Sequence, residues 1–264
     1  MDLRYDSGSD EPDEVTQGGE SSDVWLRKYA GDNRLSVTLH MRDKWILEND
    51  GWLNDDHVYA FMRDLEICFE SLGESQASSL SSASLKGTLR GYREAEDNTI
   101  HVLHGGEARH WTVVHNLGGD AVVYMDAWKD SINRDVRDSL LRLFGRDEPD
   151  TVPGKKKKKR KKKDRVRFNM TKVNCWSQGD GWSCGYRALA MAWLMADGMS
   201  VPQLADVVLD VAKLGEWLLA SLRSSEPKRP PLLDSSVGLK RVNPAREALF
   251  SAVTVTADKC RTIE

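Results

Sequence analysis

Cys184 lies in the stretch QGDGWSCG, residues 178–185, just ahead of the apolar run CGYRALAMAWLMA. A thiol in glycine-rich chain at the head of a helix is placed to react, because the partial positive charge of a helix N-terminus favours thiolate. A buried, inert cysteine at a helix start is the plainer alternative. Attack of a thiolate on a carbonyl needs three further groups: an imidazole for the proton, an acid to orient it, and a donor for the oxyanion. The chain has one of each in readable positions. His110 opens the strand-like segment HWTVVHNL (110–117) and Asp126 closes AVVYMD (121–126). The intervening LGGD signals a hairpin turn. In an antiparallel pair the start of one strand lies near the end of the other, so the two side chains can meet. An ionised Asp126 accepting Nδ1–H of His110 would leave Nε2 facing the thiol. Gln178 precedes Cys184 by six residues, and its amide, with the Cys184 backbone N–H, would hold the oxyanion. Gly181 and Gly185 would let a substrate backbone approach closely. Taken singly, these are also an ordinary strand-end histidine, a strand terminator and a loop glutamine; the reactive reading rests on the set.

The surrounding pattern supplies elements to position them. In WLNDDHVYAFMRDLEICF, Asn54 or Asp55 caps a helix whose Val58, Phe61, Met62, Leu65, Cys68 and Phe69 share one face. The serine-rich stretch that follows over 71–84 reads as a loop or a weak helix connection. NTIHVL (98–103), HWTVVHNL and AVVYMD read as three strands, and NRDVRDSLLRLFG as a helix that stops at Gly145. VRFNMTKVNCW (166–176) reads as a further strand. CGYRALAMAWLMA is apolar all round, which predicts a central buried helix, and PQLADVVLDVAKLGEWLLASL predicts one amphipathic helix. EPKRPPLLD is expected to end the compact part, with a short helix near NPAREALF beyond it.

Charge is segregated. Residues 1–23 carry eight acids against one arginine, while residues 155–163, KKKKKRKKK, carry nine positive charges. The whole chain of 264 residues has net charge −3, so everything outside that run carries −12, which argues against a uniformly basic nucleic-acid-binding domain. The expected organisation is a disordered acidic tail over 1–23, a folded domain over 24–225 interrupted by a solvated lysine-rich insertion at 146–164, and a C-terminal tail over 226–264. The acidic, polar N-terminal stretch does not read as a signal peptide. No apolar run approaches a membrane span. Four widely spread cysteines without C-x-x-C predict neither a disulfide scaffold nor a zinc site, and a reducing, intracellular setting.

Three motifs together resemble the ubiquitin-like-protein-specific cysteine proteases, the SUMO-protease family, which share a fold with the adenovirus protease. WLND with HVYAFM (52–62) is similar to that family's helix entry. HWTVV with VVYMDAW (110–128) is similar to its histidine and aspartate strands. QGDGWSCGYRALAMA is similar to its glutamine–cysteine box. They occur in the family's order across Trp52–Trp193. The resemblance implies an α+β, papain-like cysteine peptidase in which a central mixed β-sheet is flanked by helices. It implies His110 as the base or imidazolium partner, Asp126 as its orienter, Cys184 as nucleophile and Gln178 as oxyanion donor. Trp111 would pack beside the dyad, and Trp52 would line a channel for a Gly-Gly tail. No metal or organic cofactor is implied.

The resemblance further implies hydrolysis of a peptide or isopeptide bond at the C-terminus of a ubiquitin-like modifier, through an acyl-enzyme. Two alternatives stay open at this point: an acetyltransferase-type effector on the same fold, and a non-catalytic modifier-binding or mobile-element protein. Ser183 stands where the family commonly has Asp before the nucleophile. The run Lys155–Lys163 is outside the core pattern. It reads as a nuclear import signal, as a patch for a polyanion, or as a plain solvated loop.

Overall fold

Alternation along HWTVVHN sends Trp111 and Val113 to one side of a sheet and Val114 to the other, and each side meets its own core. The computed structural model describes residues 23–29, 36–75, 95–105, 110–118, 121–129, 131–144, 146–147, 165–224, 226–245 and 248–258. A two-stranded antiparallel sheet, β1 (Val24–Tyr29) with β2 (Ser36–His40), leads into helix α1 (Met41–Glu48) and helix α2 (Asp55–Cys68). The main sheet contains β3 (Thr99–Gly105), β4 (His110–Asn116), β5 (Val122–Met125), β6 (Arg146–Asp147), β7 (Arg165–Val173) and β8 (Phe250–Asp258). β3, β4 and β5 pair antiparallel in sequence. β5 then pairs parallel with β7, and β7 also pairs antiparallel with β6 and β8. The sheet is therefore mixed.

Helix α3 (Arg134–Phe144) covers one face, placing Val136, Leu140, Leu143 and Phe144 against Tyr124, Phe168 and Val255. The other face carries α4 (Cys184–Ala196). Every residue of α4 from Cys184 to Met195 except Arg187 is buried, as its all-round apolar sequence predicts. α2, α5 (Val201–Asp206) and α6 (Leu214–Arg223) enclose it. Side chains such as Leu189, Leu194, Phe61 and Leu214 are fully buried; each contributes about 1.5–3 kcal/mol by leaving water. The cap of α2 follows the sequence: Asn54 accepts from His57 N–H at 3.1 Å. Asn54 N–H in turn donates to His57 Nδ1 at 3.3 Å, and His57 Nε2 meets the Asp43 carbonyl at 3.0 Å. Those partners require a neutral ring with its proton on Nε2, and burial indeed lowers its pKa.

Four sequence expectations need correction. The amphipathic helix read across 202–222 is two helices, α5 and α6, with a short 3₁₀ turn (Val211–Lys213) before the second. The break falls at Val207–Asp210, where the backbone pairs elsewhere: Leu233 N–H donates to the Val208 carbonyl and Asp210 N–H to the Pro231 carbonyl. The stretch 226–264 is not simply a tail. β8 pairs residue for residue with β7 from Phe250 to Asp258, so the folded domain extends past 225. No helix lies at NPAREALF among the described residues; Asn243–Ala245 form bends and turns. The insertion expected at 146–164 begins later, because Arg146 and Asp147 are β6, paired with Arg167 and Val166. The remaining lysine-rich segment and the acidic stretch 1–22 lie outside the described residues, as do most of the serine-rich loop and the last six residues.

Candidate active site

His110 is the first residue of β4, and Asp126 follows directly on the last residue of β5. The β4–β5 register sets Val113 opposite Met125, which brings the two strand ends together. His110 Nε2 lies 2.7 Å from Asp126 Oδ1, and both residues are buried. The expected ring orientation is reversed. The distal nitrogen bridges the two strand ends, and Nδ1 is the buried ring nitrogen with no hydrogen-bond partner. Nδ1, not Nε2, is thus the nitrogen left for the thiol.

The Asp126 carboxylate is fully engaged. Oδ1 also accepts the backbone N–H groups of Trp128 (2.8 Å) and Lys129 (3.1 Å), and Oδ2 accepts the Tyr124 hydroxyl (3.1 Å). Burial opposes its charge, but the His110 bond and the two backbone donors outweigh it and hold its pKa below the usual carboxylate value. Burial likewise opposes an imidazolium at His110. The hydrogen bond and charge of Asp126, with the neighbouring Cys184 sulfur, prevail and raise its pKa to about 9. At neutral pH the ring therefore holds its second proton next to the sulfur.

Cys184 is the first residue of α4 and is 5% exposed. The other buried thiol among the described residues, Cys175, donates to the Asp126 carbonyl at 3.4 Å, and burial pushes its pKa up to about 12, which leaves it inert. Trp111 is buried, with its indole N–H on the Leu53 carbonyl at 3.3 Å. Trp52 stands at the surface, 45% exposed, just before α2. Gln178 is buried, and its backbone N–H donates to the Ala127 carbonyl at 2.6 Å, which ties its loop to the segment after Asp126. Its side-chain Nε2 meets the Asp180 carbonyl at 2.8 Å and Asp180 Oδ1 at 3.1 Å.

No family model matches the sequence, and no curated protein matches it. Solved structures do. The SUMO protease Ulp1 with its catalytic cysteine oxidised to a sulfenic acid aligns with a TM-score of 0.50 and 15% identity, over 72% of this chain and 85% of that one. A de-sumoylating protease aligns with a TM-score of 0.50 and 12% identity, over 76% of this chain and 90% of that one. The chain has the SUMO-protease fold.

Within the SUMO-protease fold of this chain, His110, Asp126, Trp111 and Cys184 converge where the ends of β4 and β5 meet the start of α4, with the Gln178 loop tied to the same edge. One sequence expectation changes here too. Gly185 does not open space for a substrate: a Cβ there would lie 3.0 Å from Leu53 and 3.1 Å from Trp111. The glycine lets those two side chains pack on the first turn of α4. Gly181, with nothing within 4 Å of such a Cβ, does face open space. Three further contributors were missed in the sequence. Tyr124 lies two residues before Asp126, and the strand period of two could have indicated it. Trp128 sets its ring edge-on to His110, centroids 5.1 Å apart, while remaining 41% exposed. Asp180, inside the glutamine–cysteine box, carries a network described below.

Proposed function

We propose that the chain is a thiol-dependent peptidase that hydrolyses a peptide or isopeptide bond at the C-terminus of a ubiquitin-like modifier, with a SUMO-type modifier as first candidate. The observation that carries this is the buried His110–Asp126 pair at 2.7 Å, with Nδ1 left beside Cys184, which alone among the described cysteines opens a helix. The fold shared with SUMO proteases supports the substrate class. In the proposed reaction the Cys184 sulfur attacks the carbonyl carbon. The Gln178 amide and the Cys184 backbone N–H hold the oxyanion. His110, kept charged by Asp126, gives its Nδ1 proton to the leaving amine. The thioester is then hydrolysed by water that His110 deprotonates. Exposed Trp52 and Trp128 would flank the tail.

The test is a panel of ubiquitin-like proteins carrying C-terminal electrophiles. One or more members are expected to attach to Cys184, and Cys184→Ala is expected to abolish both attachment and turnover, while Cys68→Ala and Cys175→Ala keep most of it. Attachment that survives Cys184→Ala, or a panel with no adduct and no turnover, would overturn the reading.

A further inference from the structure

The loop between Gln178 and Cys184 is organised around one carboxylate. Asp180 Oδ1 accepts the backbone N–H groups of Trp182 (3.1 Å) and Ser183 (2.7 Å), and also Gln178 Nε2 (3.1 Å). Its Oδ2 accepts the Ser183 hydroxyl at 2.7 Å. Ser183 in turn accepts Arg187 Nε at 2.8 Å, one turn along α4, and Arg187 Nη2 approaches Asp180 Oδ2 at 3.8 Å. Ser183 is fully buried and Arg187 largely so. Ser183 occupies the N-cap position of α4 but makes no side-chain cap to the helix, because its hydroxyl is committed to Asp180 and Arg187. A carboxylate with four hydrogen-bond donors has a single low-energy rotamer, so the loop on which it acts is fixed with it.

We infer that Asp180 is a positioning residue, resting on the peptidase reading above: it holds the Gln178 carboxamide and the first turn of α4 in a fixed mutual geometry, with one Gln178 amide proton shared between the two Asp180 oxygens and the other left for the oxyanion. Three features support a role beyond loop packing. The Gln178 side-chain nitrogen is anchored twice by this one residue, through backbone and side chain. The same oxygen, Oδ1, holds the Ser183 N–H immediately before the nucleophile. Gln178 Oε1 is buried without a partner, so nothing else orients that carboxamide. Without Asp180 the amide would be free to rotate. An oxyanion donor displaced by even a fraction of an ångström loses much of its effect, since it acts only on the charge of the transition state.

The experiment measures turnover of the modifier captured in the electrophile panel, prepared as its C-terminal coumarin amide, alongside alkylation of Cys184 by iodoacetamide, which forms no oxyanion. Asp180→Ala is expected to lower kcat roughly 10- to 100-fold, within the range for a lost or misplaced oxyanion donor, with KM and alkylation rate changed less than about threefold. Asp180→Asn, which keeps the Oδ1 acceptor and the side-chain volume, is expected to recover most of kcat and guards against a misfolded alanine variant. Adding Asp180→Ala to Gln178→Ala is expected to cost clearly less than the product of the two single losses, since part of the effect of Asp180 runs through Gln178. A parental kcat in Asp180→Ala, an increase in kcat, fully multiplicative losses in the double variant, or equal losses in turnover and alkylation would each overturn the role of Asp180. A parent enzyme with alkylatable Cys184 and no turnover would instead overturn the peptidase reading, and this role with it.

Discussion

At the scale of single residues, the decisive detail is which imidazole nitrogen faces the sulfur. His110 uses Nε2 for Asp126 and keeps Nδ1 for Cys184, and the pair holds the ring charged up to about pH 9. A reaction that needs the imidazolium should lose activity as pH rises through that value. The kcat/KM profile is therefore expected to fall on its alkaline side near pH 9. In Asp126→Asn the carboxylate that raises the pKa is gone, while burial still lowers it. With the Cys184 sulfur still favouring the charged ring, the alkaline limb is then expected to move down from pH 9 toward the ordinary imidazole value of 6.5. A limb that stays near pH 9 in Asp126→Asn would assign it to another group. The identities of His110, Asp126, Gln178 and Cys184 were legible because each sits in a local motif at a strand end or turn. The ring orientation was not. It depends on the lateral offset of two strand ends, which composition and spacing do not encode. Asp180 was visible in the sequence but mute, because its partners are set by side-chain direction inside the turn.

At the scale of elements, strands and helices that announce themselves by local pattern were legible, and those defined by distant partners were not. α4 could be read from its all-round apolarity, and the β4–β5 hairpin from alternation and LGGD. The segment EPKRPPLLD resembles a domain end by composition. In the structure it supplies acceptors instead: the carbonyls of Pro227 and Lys228 receive the indole N–H groups of Trp193 (3.0 Å) and Trp217 (2.8 Å). The chain beyond it returns to the sheet as β8. FSAVTVTAD has the alternation of a strand, yet nothing local says that its partner is β7. A chain truncated after Ser224 would strip β7 of nine paired residues, remove Val255 from the core it shares with Tyr124 and Phe168, and leave two buried indoles unpaired. The loss is expected to be on the order of 5 kcal/mol or more, enough to unfold a domain of ordinary stability. Urea denaturation of the truncated and full chains would measure it, and equal midpoints would refute the role given to β8.

At the scale of the whole molecule, the titrating histidines act in opposite directions on stability. His110 has a raised pKa, so the folded state binds its proton more tightly than the unfolded one. Its contribution is fully present below pH 6.5 and is lost as pH rises to about 9. Burial lowers the pKa values of His101 and His115 to about 4. Their contribution is present above pH 6.5 and is lost as pH falls toward 4. Asp64, raised to about 6 by burial despite its 3.0 Å ion pair with Lys28, opposes one of the two histidines on the acid side. The melting temperature is accordingly expected to be highest near pH 6.5 and to decline in both directions, with Asp64 softening the acid-side decline below pH 6. A maximum at pH 9 or above in a thermal melt series would contradict the assignment for His110.

The pairing of β7 with β8 also has a consequence for synthesis. Val173 and Phe250 are partners, yet they lie 77 positions apart in the chain, with all of α4, α5 and α6 between them. At about 5–20 residues per second, a ribosome needs roughly 4–15 s to translate that interval. Throughout it, β7 has emerged with one edge open and its backbone donors unmatched on that side, the state in which strands from different nascent chains join. The His110–Asp126 pair, by contrast, comes from a hairpin made within sixteen residues. The imidazole and its carboxylate are therefore available on the ribosome well before the nucleophile, and the nucleophile well before the strand that closes the sheet.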